Sequence, residues 1–317
     1  MTALHELIQP CEGRPHLVVV IGKGGVGKTT ASLLLGHSLA GIGRTLVLSL
    51  DPARHLARYV GRGVLGGEVL LEDNLVVRQL DMEGEIARQA SQYSDMLRYL
   101  LPSLSVLNID NVVDVVRYMP GVEEEVFLRV LMESYGNAGY SFVVIDTPPT
   151  GVTLRTLCLP ALYGVWLDKL IEVRGRIVSL RYAIAKTLGR EAEMRDKALS
   201  MLLEMKERYA RLMSLLKDAA RTSYVVVATP EPLPLYELEE TIDFLRRRLG
   251  TRPKALVLNR LLPPELARSM GVEEQQREYV EKLSSLKIPL VLVSYLGKST
   301  ESFEDVKKLE GLVQVVR

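Results

Sequence analysis

One segment constrains the fold of this chain more than any other: the loop of sequence GKGGVGKTT at residues 22–30. It directly follows the apolar run Leu17–Ile21 and leads into a helical stretch from Thr29 to Ala40. It matches the pattern G-x-x-x-x-G-K-[ST] in the order strand, loop, helix, in which glycines let backbone N–H groups turn inward around an anion. This arrangement is typical of a phosphate-binding loop in a parallel α/β sheet.

The rest of the chain carries further apolar runs that indicate such a sheet. Most of them lack alternation of polar and apolar residues, as expected for parallel strands covered by helices on both faces. The predicted strands are Leu17–Ile21, Leu46–Leu50, Leu75–Leu80, Phe142–Ile145, Tyr224–Ala228, Ala255–Leu258 and Leu290–Val293. The predicted fold is therefore an α/β P-loop NTPase with a mostly parallel central sheet flanked by helices.

The loop predicts binding of ATP with Mg²⁺. Its backbone amides and the positive end of the following helix would hold phosphate oxygens. Lys28 would reach the β- and γ-phosphates as a catalytic cation, and the Thr29 hydroxyl would be a ligand of Mg²⁺. The residues predicted to bind the nucleotide here are Gly24, Gly25, Val26, Gly27, Lys28, Thr29 and Thr30. The alternative, a turn without a ligand, gives no reason for two lysines among four glycines.

Two carboxylates follow predicted strands. Asp51 ends the run LVLSLD, and Asp146 follows Phe142–Ile145. The carboxyl ends of parallel strands share one edge of the sheet, where ligands bind in open α/β folds. We therefore expect Asp51 to orient a water for in-line attack, and Asp146 to hold Mg²⁺ through a coordinated water. Helix capping or turn formation is the alternative role for each.

Lys23 lies at the position of the signature lysine of deviant P-loop ATPases, a class that this loop resembles. In that class the lysine crosses a dimer interface and contacts the phosphates in the partner's site. Chemically, it is a second cation on the transferred phosphoryl group. The resemblance implies that Lys23 is catalytic and that the chain forms a homodimer; the alternative is a solvated loop lysine.

Later segments narrow the resemblance to one family. DPARHL at residues 51–56, DTPPTGVTLRTLCLP at 146–160, PEPLPLYELEETI at 230–242 and LVLNRLLPPE at 256–265 resemble the arsenical-pump and tail-anchored-protein-targeting ATPases in matching order. The resemblance implies that Asp51 belongs to a first switch and polarises the attacking water, and that Asp146–Gly151 form a second switch. It implies that Asn259 binds adenine through its amide.

The same resemblance implies an α-helical subdomain. Residues 82–135 and 160–221 carry little strand signal and are predicted to be helical insertions in a single P-loop ATPase domain spanning 1–317. In targeting members this subdomain opens and closes with nucleotide and holds a client's transmembrane helix. The expected partners are therefore a second copy of the chain, hydrophobic helical client segments and a membrane receptor.

Methionines and one apolar stripe mark these helical ranges. Eight of ten methionines lie between residues 82 and 213, and flexible methionines suit a groove for varied apolar helices. A stripe at Ala198, Leu202, Met205, Tyr209, Leu212 and Leu216 is equally typical of an ordinary packed helix. Core packing and client binding both remain open for these side chains.

Cysteine usage separates the alternatives within the family. The chain has only Cys11 and Cys158, and the region Arg268–Tyr279 lacks the C-x-x-C that binds an intersubunit zinc in many targeting members. The resemblance is therefore to a single-copy, archaeal-type member without the zinc motif, and it implies that the dimer is held in another way. Two distant thiols in one subunit cannot form a three-thiolate metalloid site, which disfavours arsenite or antimonite as substrate.

Composition argues against nucleic-acid binding and against a membrane-spanning protein. A formal net charge of +1 predicts no general attraction to nucleic acid, so no nucleic-acid partner is expected. No segment reaches the roughly 18 uninterrupted apolar residues of a membrane span, and no secretory leader is recognisable, so a cytoplasmic location is predicted. The favoured function is an ATP-driven targeting factor for tail-anchored proteins. The alternatives are a metalloid-stimulated pump subunit and a partition or positioning ATPase that uses Phe303–Arg317 on a membrane.

Overall fold

The computed structural model describes residues 5–90, 121–189 and 196–316. Its strands are β1 His16–Gly22, β2 Thr45–Ser49, β3 Glu68–Glu72, β4 Leu75–Gln79, β5 Phe142–Asp146, β6 Thr222–Ala228, β7 Ala255–Leu261, β8 Leu290–Ser294 and β9 Val313–Val316. Its main helices are α1 Lys28–Ala40, α2 His55–Val60, α3 Val122–Gly136, α4 Thr150–Thr187, α5 Lys197–Lys217, α6 Pro232–Phe244, α7 Pro264–Ser269, α8 Glu273–Ser284 and α9 Phe303–Glu310. Residues 82–90 are also helical.

The strands form a nine-stranded sheet in the order β3-β4-β2-β5-β1-β6-β7-β8-β9. All seven predicted strands are present, and every pairing among them is parallel. This confirms the predicted P-loop NTPase fold. The prediction missed β3 and β9, which pair antiparallel at the two edges. Both are short and partly exposed, so they lack the continuous apolar run that a doubly covered strand requires.

The central strands and α1 form the core around which the site is built. β1, β2, β5 and β6 are buried along their whole length. Almost every residue of α1 is also buried, which explains why this helix has no polar face. α1 packs against β2, β5 and α9, and the loop before it is thereby held at the carboxyl end of β1.

The chain divides into two compact units. The first lies within the ranges Met1–Met82, Arg129–Arg155 and Leu216–Arg317 and contains the whole sheet. The second lies within Glu83–Leu128 and Thr156–Leu215, and its described residues are mainly helical. The helical ranges expected from the sequence, 82–135 and 160–221, overlap this second unit, while their parts at 91–120 and 190–195 lie outside the described residues.

Two long helices, α4 and α5, lie mostly within the second unit. In α5 the stripe expected from the sequence is buried at Ala198, Leu202, Tyr209, Leu212 and Leu216. α4 begins at Thr150, ten residues before the predicted helical range, and continues through Pro160. Among the described residues, no helix combines the length and apolar composition that a bilayer crossing requires.

A buried histidine joins β1 to β6 at the amino-terminal edge of the sheet. His16 Nε2 lies 2.8 Å from Ser223 Oγ, and its Nδ1 lies 3.3 Å from Cys11 Sγ. Burial, and secondarily the positive charge of Lys254, lowers the pKa of His16 to about 4. The imidazole is therefore neutral in the folded chain at neutral pH.

This histidine predicts an acid-dependent loss of stability. An unfolded His16 takes up a proton near pH 6.5, whereas the folded one does so only near pH 4. Its stabilising contribution is therefore complete above pH 6.5 and is lost as the pH falls to 4, by about 2–3 kcal/mol. Denaturant unfolding should show a steeper decline over this range in the parent chain than in His16→Gln. Parallel pH profiles for the two proteins would contradict the assignment.

Candidate nucleotide site

The glycine-rich loop connects β1 to α1, as predicted, and two of its glycines have no substitute. A Cβ on Gly22 would come within 2.4 Å of the backbone oxygen of Val227. Gly27 has a φ of 93°, and a Cβ there would lie 2.2 Å from Asn259 Nδ2. The loop can therefore approach its neighbours and turn only with glycine at these positions.

Lys28 is a buried cation at the start of α1. Its side chain is only 6% exposed, and its Nζ donates a hydrogen bond to the backbone oxygen of Lys23 at 3.1 Å. Burial lowers the pKa of Lys28, while the carboxylates of Asp146, Asp51 and Glu237 act in the opposite direction. A buried ammonium that faces the loop is positioned to bind an anion held there.

Asp146 at the end of β5 is joined to the loop through hydroxyl groups. Thr29 Oγ1 donates to Asp146 Oδ2 at 2.8 Å, and Ser49 Oγ donates to the same oxygen at 3.0 Å. Asp146 is fully buried, and burial raises its pKa to about 6 although both hydrogen bonds oppose this shift. Its other oxygen, Oδ1, has no hydrogen-bond partner within the described residues.

Asp51 follows β2 and is held by its own turn. Its Oδ1 accepts a hydrogen bond from the backbone N–H of Ala53 at 3.0 Å, and its Oδ2 lies 3.6 Å from His55 Nδ1. Gln79 at the end of β4 donates to the backbone oxygen of Asp51 at 3.0 Å. The carboxylate is therefore placed by local turn geometry and by a neighbouring strand.

A cavity of about 650 Å³, here called the phosphate cavity, brings most of the predicted residues together. Its lining includes Gly24, Gly25, Gly27, Lys28, Thr29, Thr30 and Asp51. Val26 and Asp146 are buried behind this lining, at 2% and 0% exposure. The sequence prediction therefore identified residues that lie together in space although more than twenty positions separate Asp51 from the loop.

Asn259 lies beside this cavity with both ends of its amide engaged. Its Nδ2 donates to the backbone oxygen of Val26 at 2.8 Å, and its Oδ1 accepts from the N–H of Arg260 at 2.9 Å. Asn259 lines a second cavity of about 300 Å³, here called the side cavity, which also includes Thr30, Tyr59 and Tyr295. The amide supports the loop, and one N–H and one lone pair remain beyond these two bonds.

Lys23 lies outside the phosphate cavity of its own chain. The described residues that line this cavity do not include it. Its Nζ lies 3.7 Å from Glu237 Oε1 in α6, and both side chains are about 30% exposed. An ion pair of this length and exposure contributes little stability and can be exchanged for another partner.

Sequence reasoning missed several residues that the structure places at the site, among them Ser49, Tyr59 and Arg260. Ser49 donates to Asp146, Tyr59 OH lies 2.8 Å from Thr30 Oγ1, and Arg260 lines both cavities. Ser49 could have been noticed as a hydroxyl in an otherwise apolar strand. No pattern in the sequence distinguishes Tyr59 or Arg260 from ordinary surface residues.

The side chains present fit a nucleotide with a divalent cation. A threonine hydroxyl and a carboxylate are hard oxygen donors of the kind that Mg²⁺ prefers. Asp146 Oδ1 is a buried polar atom without a partner in the described part of the chain. Buried polar atoms without a partner are uncommon, and a bound ion with its water shell would satisfy this oxygen.

Comparisons with known proteins agree with this geometry. The chain is 30% identical over 312 residues to the ATPase get3 of Aspergillus terreus, across 91% of this chain and 89% of that protein. It is 28% identical over 294 residues to a protein of Aquifex aeolicus provisionally named arsenical pump-driving ATPase 2, across 90% and 95% of the two chains. It is 30% identical over 264 residues to the ATPase GET3B of Arabidopsis thaliana, across 77% and 63%.

The sequence pattern of one family, the anion-transporting ATPases, matches residues 16–314. This match begins with β1 and ends at the start of β9, so it covers the loop, both carboxylates and the second unit. The family resemblance drawn from the motifs is confirmed. By this match, and by the nucleotide-site geometry on its sheet, the chain belongs to the anion-transporting ATPase family and is an ATPase.

Proposed function

We propose that this ATPase works as a homodimer whose nucleotide state controls an apolar helical surface for transmembrane segments of tail-anchored proteins. The observation that carries the proposal is an exposed apolar stripe on α4. Its members are between 38% and 68% exposed and recur mainly at helical spacings: Leu162, Val165, Trp166, Val173, Ile177, Leu180 and Ile184.

The dimensions of this stripe suit a membrane segment. From Leu162 to Ile184 it is roughly 35 Å long at the rise of an α-helix. The hydrocarbon core of a bilayer is about 30 Å thick, so a transmembrane helix is of similar length. Exposed apolar side chains that recur along one face of a helix mark an interaction surface, and an apolar helix is the partner whose shape and chemistry match.

The exposed stripe on α4 changes the expectation that methionines form the apolar groove for client helices. The five described methionines of the helical ranges, Met82, Met132, Met201, Met205 and Met213, are half-buried. Met96, Met119 and Met194 lie outside the described residues. The exposed apolar side chains are instead leucine, valine, isoleucine and tryptophan on α4, which contains no methionine.

For the chemistry, we assign the triphosphate to the phosphate cavity. Lys28 and the loop amides bind phosphate oxygens, and the Asp51 carboxylate orients the attacking water. Thr29 and, through water, Asp146 would hold Mg²⁺, which would neutralise charge on the phosphates. The supporting observations are the burial of Lys28, the Thr29–Asp146 hydrogen bond and the exposure of Asp51 to the cavity.

Adenine recognition by Asn259 remains part of the proposal. The residue lines the side cavity next to Thr30 and keeps one donor and one acceptor after supporting the loop. An amide that offers both can pair with the edge of adenine. The side cavity is therefore assigned to the nucleoside.

Coupling between nucleotide and apolar surface is proposed to run along the chain itself. Asp146 is followed by Thr147, Pro148 and Pro149, and α4 begins at Thr150. The Thr153 hydroxyl donates to the backbone oxygen of Pro148 at 2.9 Å, which joins the first turn of α4 to this segment. The helix that carries the stripe therefore starts at the proposed second switch.

An ATP-dependent capture experiment tests this function. A peptide with a single apolar tail segment should be retained in at least one nucleotide state, together with a mass corresponding to two copies of the chain. The variant Leu180→Asp with Ile184→Asp should lose the peptide, because two charges would enter the stripe. Both positions are more than half exposed, so the fold should tolerate the change.

The matched control changes the net charge equally without touching the stripe. Ser179→Asp with Lys186→Gln alters two exposed positions on another side of α4. It should bind the peptide as the parent chain does, and both double variants should hydrolyse ATP. Failure of the parent chain to retain the peptide in every nucleotide state would refute the targeting function.

The two alternatives receive less support. The name of the Aquifex relative suggests a pump subunit, and stimulation of the ATPase by arsenite would favour that function. However, soft metalloids require several thiolates, and the chain has only Cys11 and Cys158. A positioning ATPase would need an apolar face in the last segment. Phe303, Val306 and Leu309 of α9 are instead buried in the core. A membrane receptor and a cytoplasmic location stay predictions.

A further inference from the structure

Arg260 has an unusual backbone conformation at the end of β7. Its φ is 61°, in the left-handed region that favours glycine. The pairing of β7 with β8 shifts register between Asn259 and Leu261, so Arg260 is the extra residue of a bulge. Its side chain is exposed, and hydrophobic burial therefore does not offset the strain. Strain that persists without local compensation is commonly found at ligand sites.

The side chain of Arg260 stands between the two cavities. It lines the phosphate cavity with Gly27, Lys28 and Thr29, and it lines the side cavity with Asn259. Thr30 and Tyr59 also line both cavities, so this set of residues marks the boundary between them. A ligand that occupies both cavities has to pass Arg260.

The guanidinium has no partner among the described residues. No hydrogen bond or ion pair of the Arg260 side chain occurs there, whereas Lys23 is near Glu237 and Lys28 donates to the backbone of Lys23. Five N–H groups in a planar fork are therefore available beside the phosphate-binding loop. An arginine of this kind binds phosphate through two parallel hydrogen bonds.

We propose that Arg260 binds the phosphate group attached to the ribose, at the boundary between the phosphates and the nucleoside. This inference rests on the proposed assignment of the phosphate cavity to the phosphates and of the side cavity to the nucleoside. The bulge and the positive φ direct a cation to this boundary. Because the contacted phosphate occurs in both ATP and ADP, Arg260 contributes to the binding of both nucleotides and not to the chemical step.

Calorimetric titration with ADP and with a non-hydrolysable ATP analogue tests this role. Arg260→Gln should weaken both by a similar factor, about tenfold or more, because a charge-assisted bidentate contact is lost. In steady-state hydrolysis the weaker binding should appear mainly as a higher KM for ATP. Arg252→Gln removes an exposed arginine that lies three residues before β7 and should leave both affinities unchanged.

Arg260→Gly distinguishes a role of Arg260 in nucleotide binding from a role in the stability of the fold. Glycine adopts a φ of 61° without strain, so the nucleotide-free variant should melt at the same or a higher temperature while its affinity for ADP falls. Unchanged ADP affinity in both Arg260 variants would overturn the inference, and so would a loss for the ATP analogue alone. If Lys28→Ala both bound ADP and hydrolysed ATP as the parent chain does, the nucleotide site itself would be misplaced, which is a different failure.

Discussion

Lys28→Ala is expected to abolish ATP turnover, with a loss of at least about a hundredfold, because it removes the cation that we propose contacts the transferred phosphoryl group. Lys28 is nearly fully buried at the start of α1 and lines the phosphate cavity with Asp51. No other described lysine lines that cavity. The variant should also lose the rise in melting temperature that ADP produces in the parent chain.

The nucleotide-free protein provides the control for this experiment. Burial lowers the pKa of Lys28, so the charge of this side chain does not stabilise the folded chain without a ligand. Lys28→Ala should therefore fold and melt at a temperature close to that of the parent chain. Inactivity in a folded variant that still binds ADP would show that Lys28 acts only in turnover. Activity at the parent rate would refute its place in the site.

Lys23→Ala is expected to lose hydrolysis while each subunit still binds nucleotide. The residue is outside the phosphate cavity of its own chain and is paired loosely with Glu237. A partner's phosphates could therefore attract it away from Glu237 on dimer closure. Steady-state turnover and ADP titration, measured on the same preparation, should separate the two effects.

Mixing inactive variants tests whether Lys23 acts across a dimer. Lys23→Ala and Asp51→Asn should each be inactive alone. In a mixed dimer, the Lys23→Ala subunit keeps Asp51 and receives Lys23 from its partner, so one of the two sites is complete. An equal mixture that pairs at random should recover up to about a quarter of the parent activity.

The matched control for this mixture combines two changes that act within the same subunit. Asp51→Asn mixed with Lys28→Ala should remain inactive, because each site in every dimer lacks one of its own residues. Rescue in the first mixture and not in the second would support the crossing lysine. Absence of rescue in both, with dimers demonstrated by mass, would refute it.

Much of the fold could be predicted because several short sequence patterns each indicated the same parallel α/β sheet. The sequence contains seven apolar runs of strand length and a glycine-rich loop that leads directly into a helix. Few folds satisfy this pattern other than a parallel sheet with a ligand at the carboxyl ends of its strands. The same logic placed Asp51 and Asp146 near the loop. β3 and β9 could not be recognised, because a half-exposed edge strand needs no distinctive pattern.

The contacts within the site depended on residues that are far apart in sequence. Thr29 and Ser49 meet at one oxygen of Asp146, and Asn259 supports the loop at Val26. These pairs form only when neighbouring strands align in register. The strained backbone of Arg260 likewise arises from a register shift between β7 and β8, which no local sequence rule encodes.

The two long helices show the limit of sequence reasoning most clearly. The sequence predicted helix over residues 160–221 and an apolar stripe only on the part that forms α5, although α4 also carries apolar side chains at helical spacing. The tertiary structure buried the stripe of α5 and left that of α4 exposed. Periodicity defines a face of a helix, but only the surrounding elements decide whether that face is covered, because burial is a property of neighbours and not of the segment itself.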